Sequence, residues 1–234
     1  MFLVGGPSHS GTTLLALLLN QGDVVCLDEP DFHNPEQNHR GVPVLTRLFP
    51  DRVFPERTTD PLTFEEATDV IAACERAIAP FALGVKTNNR LLLRYAAVFR
   101  RRGHPVIFIV RDIRDALLGE LDARLDERAM NRRYRLVWRC SAKLADVVVR
   151  YEDLVLDPGS ALSAIGAAIG QKLEWAGMWD PARVDLQQMV KTERQELLRR
   201  GTISSDRVGR WKTASRSFAA RTHDTAERMG YGPA

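Results

Sequence analysis

The fold is decided by residues 2–13, which read Phe2-Leu3-Val4-Gly5-Gly6-Pro7-Ser8-His9-Ser10-Gly11-Thr12-Thr13. A short apolar run leads into a glycine-rich loop, and the loop leads into an apolar pattern of helical period over residues 12–20. The glycines let the backbone turn sharply so that successive N–H groups converge, and the hydroxyls of Ser10, Thr12 and Thr13 add donors. A strand, such a loop and a helix in succession form an anion site at the helix N-terminus. The stretch therefore predicts an α/β protein that binds a phosphorylated ligand.

The loop differs from the loop of nucleotide triphosphatases at one position. The spacing of Gly6, Gly11 and Thr13 matches that pattern, but Thr12 stands where the pattern requires the lysine that reaches the β- and γ-phosphates. This difference argues against hydrolysis of a magnesium nucleotide. Taken alone, the loop leaves both a kinase-like function and a sulfuryl-transfer function open.

Working outward from the loop, short β-rich runs alternate with longer helical patterns. This order predicts a single three-layer α/β domain over residues 1–234, with a mostly parallel central sheet, helices on both faces and a phosphate-loop type of nucleotide site. Residues 106–110 form a continuous apolar run, which predicts a strand in the middle of the sheet. The β-rich runs are 2–4, 24–27, 83–86, 106–110 and 147–150, and the helical patterns are 12–20, 64–78, 90–102, 114–139 and 160–169.

Two segments lack such patterns. Residues 28–62 contain six prolines, which predicts a long loop, and long loops in compact domains are often functional. Residues 199–217 are predicted as an irregular basic segment before a short last helix.

Composition excludes some classes of function. The 234 residues include 33 Lys and Arg against 30 Asp and Glu, and a formal charge of +3 is too small to indicate nucleic-acid binding. The sequence shows no leader and no apolar stretch long enough to span a bilayer, so we expect a cytoplasmic protein without a membrane partner. The three cysteines are far apart and lack metal-ligand spacing, so no metal site is expected.

Polar motifs follow three of the predicted strands. Lys86 ends one strand, Arg111-Asp112-Ile113-Arg114-Asp115 follows the next, and Tyr151-Glu152-Asp153 follows the last. Because the carboxyl ends of parallel strands meet at one edge of a sheet, we expect Lys86 and Arg111 to project from the same edge. Glu152 and Asp153 are interpreted as structural, fixing the turn by local hydrogen bonds.

With Ser10-Gly11-Thr12-Thr13-Leu14 and Val208-Gly209-Arg210-Trp211-Lys212, these motifs resemble those of sulfotransferases that use 3′-phosphoadenylyl sulfate (PAPS). The resemblance implies that Arg111 binds the 3′-phosphate and that Tyr151 packs near the nucleotide. It also implies a flap over the 3′-phosphate and adenine, which contains Arg200, Gly201 and Arg210. Gly119 stands where the family usually has a serine, and His9 where it usually has lysine or arginine. The residues implied for the 5′-phosphosulfate are Ser8, His9, Ser10, Gly11, Thr12 and Thr13.

The same resemblance implies the catalytic residues. Lys86 would approach the group in transfer, with His9 beside it, and Glu29 would be the general base, because its segment is similar to one in the tyrosylprotein and some carbohydrate branches. Asp28 and His33 are alternatives to Glu29. PAPS would be the donor, 3′,5′-ADP the product, and no metal is expected. The acceptor, a small molecule or glycan, stays open between carbohydrate, phenol and tyrosine, as does the oligomeric state.

Two other functions remain open from the sequence. One is a phosphotransferase or kinase with a phosphate loop. The other is a non-catalytic binder of nucleotide or anionic glycan, which is suggested because His9 and Gly119 differ from the residues usual at donor-binding positions of the family. A run of arginines between 124 and 139 is compatible with an acidic acceptor, but a solvated helix face also explains it.

Overall fold

Five parallel strands form one sheet. The computed structural model describes residues 1–30, 32–34, 41–56, 60–87, 91–118, 126–177 and 203–232. The strand order is β2-β3-β1-β4-β5, and every pair is parallel. The strands are β1 (Phe2–Gly5), β2 (Val24–Asp28), β3 (Ala82–Lys86), β4 (Val106–Val110) and β5 (Val147–Arg150).

Helices connect the strands and cover the sheet. They are α1 (Thr12–Leu18), α2 (Val42–Leu48), α3 (Phe64–Ala77), α4 (Leu92–Arg101), α5 (Ile113–Ala116), α6 (Glu127–Leu144), α7 (Tyr151–Leu156), α8 (Pro158–Ile169), the 3₁₀ turn η1 (Arg210–Lys212) and α9 (Ala220–Arg228). In the part of the chain that the structure describes, none of them is long and apolar enough to cross a membrane.

Side chains that alternate along the strands build a core on each face of the sheet. Phe2 and Val4 face one side, where they pack with residues of α1, α7 and α8. Leu3 and Phe108 face the other side, where they pack with residues of α2, α3, α4 and α6. The predicted α/β architecture, a parallel sheet with helices on both faces, is therefore confirmed.

The predicted helix over 114–139 is wrong, because two capped helices occupy this region. Asp112 caps α5 by accepting from Arg114 N, and α5 ends at Ala116. Asp126 then starts α6 by accepting from the N–H groups of Arg128 and Ala129. An aspartate that binds the amides two and three residues ahead begins a new helix.

Three other details differ from the prediction. The prolines of 28–62 do not exclude a helix, since Pro43 lies in the first turn of α2, where proline needs no amide partner. The segment after β5 is the helix α7 and not a bare turn. Finally, β4 is an interior strand as expected, but the central position belongs to β1.

Candidate functional site

The loop between β1 and α1 passes close to β4 and α7. A Cβ on Gly6 would collide with the carbonyl oxygen of Ile109, and one on Gly11 would collide with the ring of Tyr151. Gly11 also has φ 95°, in the region that L side chains rarely adopt. Two glycines are therefore needed for this path, which carries the chain from the central strand directly into α1.

We expect Gly11→Ala to lower the free energy of unfolding by about 2–5 kcal/mol, because left-handed strain adds to the overlap with Tyr151. Gly103→Ala is the matched control: its φ is 75°, but nothing lies within 4 Å of the added Cβ. The control should lose about 1–2 kcal/mol. Urea unfolding of both variants measures the difference, and equal losses would show that the contact between the loop and Tyr151 is not tight.

Hydrogen bonds fix the shape of the loop from inside and from α6. The Ser10 hydroxyl donates to Pro7 O at 2.8 Å and its N–H donates to the same oxygen at 3.2 Å. Tyr134 of α6 donates its hydroxyl to Ser8 O at 3.0 Å. Both donors of the buried Ser10 thus shape the loop. The groups that can bind an anion include the first amides of α1 and the hydroxyls of Thr12 and Thr13, residues that lie partly exposed.

The loop lies where the strand order places a crevice. After β1 the chain turns toward β2, on one side of the sheet, and after β4 it turns toward β5, on the other. Open α/β sheets bind ligands between loops that diverge in this way at the carboxyl ends of the strands. Register pairs Val4 with Lys86 on β3 and with Ile107 on β4, and these strands are parallel, so Lys86 and Arg111 lie at the carboxyl ends of strands on the same edge, as predicted.

At the end of β3, Lys86 joins two carboxylates. Its Nζ lies 2.8 Å from Asp28 Oδ1 and donates to Glu29 Oε1 at 2.7 Å. Lys86 is 2% exposed and Asp28 is 3% exposed, whereas the side chain of Glu29 is 32% exposed. Two predicted catalytic residues therefore form an ion pair, with Asp28 as a buried third member.

Positive φ angles mark two predicted site residues. Among the described residues other than glycine, His9 with φ 62° and Glu29 with φ 52° have this conformation. Such backbone conformations raise the energy of the folded chain and are concentrated at functional sites. The strain thus falls on the loop and on the end of β2, where the sequence places candidate catalytic groups.

Arg111 is held just after β4, and its Nε–H group is not used in a hydrogen bond among the described residues. Its guanidinium lies over the ring of Tyr151, with 4.4 Å from Cζ to the ring centroid. Its Nη2 donates to the carbonyl oxygen of Arg207, and its buried Nε has no hydrogen-bond partner among the described residues. Arginine carries five N–H donors, and a buried donor without an acceptor is unfavourable. An anion beside Arg111 would supply the acceptor.

Residues 207–212, which we call the strap, are fastened to the turn after β4. Asp115 accepts from Gly209 N at 2.6 Å and from Trp211 N at 2.9 Å. The ring of Trp211 covers the guanidinium of Arg114, with 3.6 Å from Cζ to the ring centroid. Arg114 in turn binds Asp112 through Nε and Nη2. Trp211 thus serves as an anchor, and the strap adjoins Arg111 through Arg207.

Burial raises the pKa of Asp115, although the two amide hydrogen bonds oppose the shift. A carboxyl whose pKa is raised by folding binds its proton more tightly when folded, so its contribution to stability falls as pH rises from the ordinary aspartate pKa through the folded value. We expect the free energy of unfolding of the wild type to fall relative to that of Asp115→Asn across this pH window. At higher pH, the difference between the two proteins should be constant. Urea unfolding at a series of pH values measures both free energies. If the value for the wild type minus that for the variant stays constant or grows with pH across the window, the raised pKa of Asp115 is contradicted.

Besides the local hydrogen bonding that the sequence predicts, Glu152 makes contacts that reach far along the chain. Its Oε1 accepts from Asp112 N at 3.1 Å and its Oε2 accepts from the hydroxyl of Tyr231 at 2.9 Å. Burial raises the pKa of Glu152. The carboxyl thus joins α7 to Asp112, directly after β4, and to Tyr231, contacts that are compatible with the structural role predicted for it.

The other predicted residues lie apart or outside the described ranges. His33 stacks on Phe64 with ring centroids 5.3 Å apart, inside an aromatic group. Arg210 is exposed in η1. Arg200, Gly201 and Gly119 lie outside the described residues. Of the arginine run, the described members with exposed side chains on α6 are Arg128, Arg132, Arg133 and Arg139.

Sequence reasoning missed the contribution of Tyr134 and Asp115 to the site. Tyr134 lies 126 positions from Ser8, and Asp115 lies 94 from Gly209, so no local pattern indicates either contact. The available signal in the sequence was that Asp115 is acidic, although the arginines of its motif favour anion binding. Within the described ranges, no group of three or more His, Cys, Asp or Glu is arranged to hold a metal ion.

Two solved structures are similar to the chain over nearly its whole length. The sulfotransferase domain from the curacin biosynthetic pathway is 15% identical, over 100% of this chain and 98% of that one, with a TM-score of 0.69. The sulfotransferase domain from the olefin synthase of Synechococcus PCC 7002 is 19% identical, over 99% and 94%, with a TM-score of 0.67. No protein-family model matches the chain, and no curated protein is similar to it in sequence. At these identities the similarity is one of fold.

Proposed function

Since the chain has the fold of sulfotransferase domains, we propose that it transfers a sulfuryl group from PAPS to a hydroxyl of an acceptor. The observation that carries the proposal is the placement of three cationic or amide donors at the carboxyl ends of the adjacent strands β3, β1 and β4. They are the loop before α1, Lys86 at the end of β3 and Arg111 at the end of β4.

Arg111 suits the 3′-phosphate of the donor. The buried Nε lacks an acceptor among the described residues, and the Tyr151 ring fixes the plane of the guanidinium. A planar guanidinium can bind a phosphate through two parallel N–H groups. Burial also raises the pKa of Tyr151, so its phenol stays neutral beneath the guanidinium.

The loop and Lys86 suit the 5′-phosphosulfate. The first amides of α1 provide N–H donors for phosphate oxygens, and the helix dipole favours an anion there. Lys86 has three N–H donors, of which two face carboxylates at 2.7 and 2.8 Å. The remaining donor can stabilise the charge that develops on the leaving phosphate oxygen, and fixed donors of this kind give large rate effects. When bound, PAPS supplies the activated sulfuryl group.

Glu29 suits the role of general base. It is the partly exposed member of the cluster at the sheet edge, whereas Asp28 is buried and His33 packs among aromatic rings. Glu29 would take the proton of the acceptor hydroxyl as the acceptor oxygen bonds to sulfur, while the bond between sulfur and the 5′-phosphate oxygen breaks and 3′,5′-ADP leaves. General bases contribute about 10²–10⁴-fold to a rate. The acceptor would be a small molecule or glycan that presents a sugar hydroxyl, a phenol or a tyrosine.

Labelled PAPS tests the proposal. The purified chain is incubated with ³⁵S-PAPS and a panel containing a glycan, a phenol and a tyrosine peptide, and release of sulfate to water is measured in parallel. We expect transfer that EDTA does not reduce and that Glu29→Gln lowers. Binding of 3′,5′-ADP without transfer or sulfate release would indicate a non-catalytic binder. Turnover of magnesium-ATP in place of PAPS would indicate a phosphotransferase.

A further inference from the structure

Asp28 belongs to the cluster of Lys86 and Glu29, but the proposed reaction gives it no task. Asp28 and Lys86 are register partners at the ends of two adjacent strands, and both are almost completely buried. A buried charge requires a buried partner, and removal of that partner is strongly unfavourable. Asp28 is therefore bound to Lys86 by its place in the sheet.

Glu29 is joined to Lys86 in a different way. It lies one residue beyond β2, its N–H donates to Lys86 O at 2.9 Å, and its left-handed backbone brings Oε1 to Nζ. Its side chain is 32% exposed, so water or another polar group can replace Nζ as the partner of its carboxylate. Of the two ion pairs of Lys86, the one with Glu29 is open to water on the side of its carboxylate, whereas the one with Asp28 is buried on both sides.

A base that takes a proton from an acceptor must be able to give up a competing partner. With Asp28 in place, Lys86 retains a counter-charge when Glu29 turns to the acceptor hydroxyl. Without Asp28, Glu29 would be the sole carboxylate partner of a buried ammonium and would be held there. The two carboxylates thus have different roles. Asp28 neutralises Lys86, and Glu29 is released to act as the base.

We infer that Asp28 is a positioning residue, which holds Lys86 by a permanent buried ion pair and so frees Glu29 to act as the base. The inference rests on the proposed sulfuryl transfer. It concerns turnover and not donor binding, because Lys86 keeps a carboxylate partner, Glu29, when Asp28 is neutralised.

Asp28→Asn tests the inference when turnover and binding are measured separately. Transfer from ³⁵S-PAPS to an accepted hydroxyl or to water gives kcat, and calorimetry with 3′,5′-ADP gives Kd. We expect kcat to fall by about 10-fold or more, because Glu29 is held by Lys86, while Kd changes by less than about 3-fold. Asp28→Glu, which restores a carboxylate, should recover part of the lost kcat. Asp23→Asn, at an exposed site before β2, is the matched control and should leave kcat within about 2-fold.

The outcomes separate this inference from the proposed function. A wild type that transfers sulfuryl groups, with Asp28→Asn equally active, overturns the inference alone. Parallel losses of kcat and of 3′,5′-ADP affinity also overturn it, since they would show that Asp28 merely supports the site. If Asp28→Asn does not fold, Asp28→Glu decides: a partial loss of kcat with Kd within about 3-fold supports the positioning role, and an unchanged kcat or a Kd that weakens with kcat contradicts it. A wild type without transfer or sulfate release overturns the proposed function and this inference with it.

Discussion

Arg111→Ala is expected to weaken the binding of 3′,5′-ADP by about 100-fold or more. Each hydrogen bond to a charged group contributes about 1.5–3 kcal/mol, and a guanidinium can make two such bonds to one phosphate. The buried Nε that has no acceptor in the described part of the chain is the donor available for this contact. Calorimetric titration of wild type and variant with 3′,5′-ADP measures the loss.

Two variants control for charge and for truncation. Arg101→Ala removes an exposed arginine that pairs with Glu65 on the surface, and 3′,5′-ADP binding should stay within about 2-fold. Arg111→Lys keeps the charge but not the planar pair of donors, so its affinity should lie between wild type and Arg111→Ala. Equal affinity in wild type and Arg111→Ala would remove Arg111 from the nucleotide site.

Lys86→Met is expected to lower the rate of sulfuryl transfer by about 10²–10³-fold at saturating donor. Loss of one fixed donor to a developing charge has an effect of this size in other enzymes. Methionine retains most of the volume of the buried stem, so packing between β1 and β2 is preserved. The rate of ³⁵S transfer under single-turnover conditions is the measurement.

Stability must be separated from chemistry in this variant. Lys86→Met removes the buried ion pair with Asp28, and breaking a buried ion pair costs about 3–5 kcal/mol. The double variant Asp28→Asn/Lys86→Met removes both buried charges and should recover much of this stability. If the double variant folds stably and still transfers at the wild-type rate, Lys86 has no part in the reaction.

The sequence was sufficient for the strands, because each is a short apolar run ended by a polar residue or glycine. The range 106–110 was predicted without error, and 2–4, 24–27 and 83–86 are each one residue shorter than the strands observed. The helices around residues 113–144 were not predictable in this way. Their apolar pattern continues past Ala116, and the break depends on a cap at Asp126. Periodicity alone does not separate two capped helices from one.

For the site, the sequence predicted which residues share an edge of the sheet but not what they contact. Lys86 and Arg111 could be placed because parallel strands share the direction of their ends. The ion pairs of Lys86 with Asp28 and Glu29 depend on the pairing of β2 with β3, which the sequence does not specify. The sequence also does not indicate that the strap donates hydrogen bonds to Asp115 or that Tyr134 donates one to the loop, because these contacts join residues far apart in the chain.

The central claim is that the site recognises a 3′-phosphorylated adenine nucleotide, and titration of the wild type tests it most directly. The purified chain is titrated with 3′,5′-ADP, with 5′-ADP and with ATP plus magnesium under identical conditions. We predict that 3′,5′-ADP binds most tightly, by about 10-fold or more over 5′-ADP, since 5′-ADP lacks the 3′-phosphate that the proposal places beside Arg111. Tighter binding of magnesium-ATP, or no distinction between 3′,5′-ADP and 5′-ADP, would contradict the account.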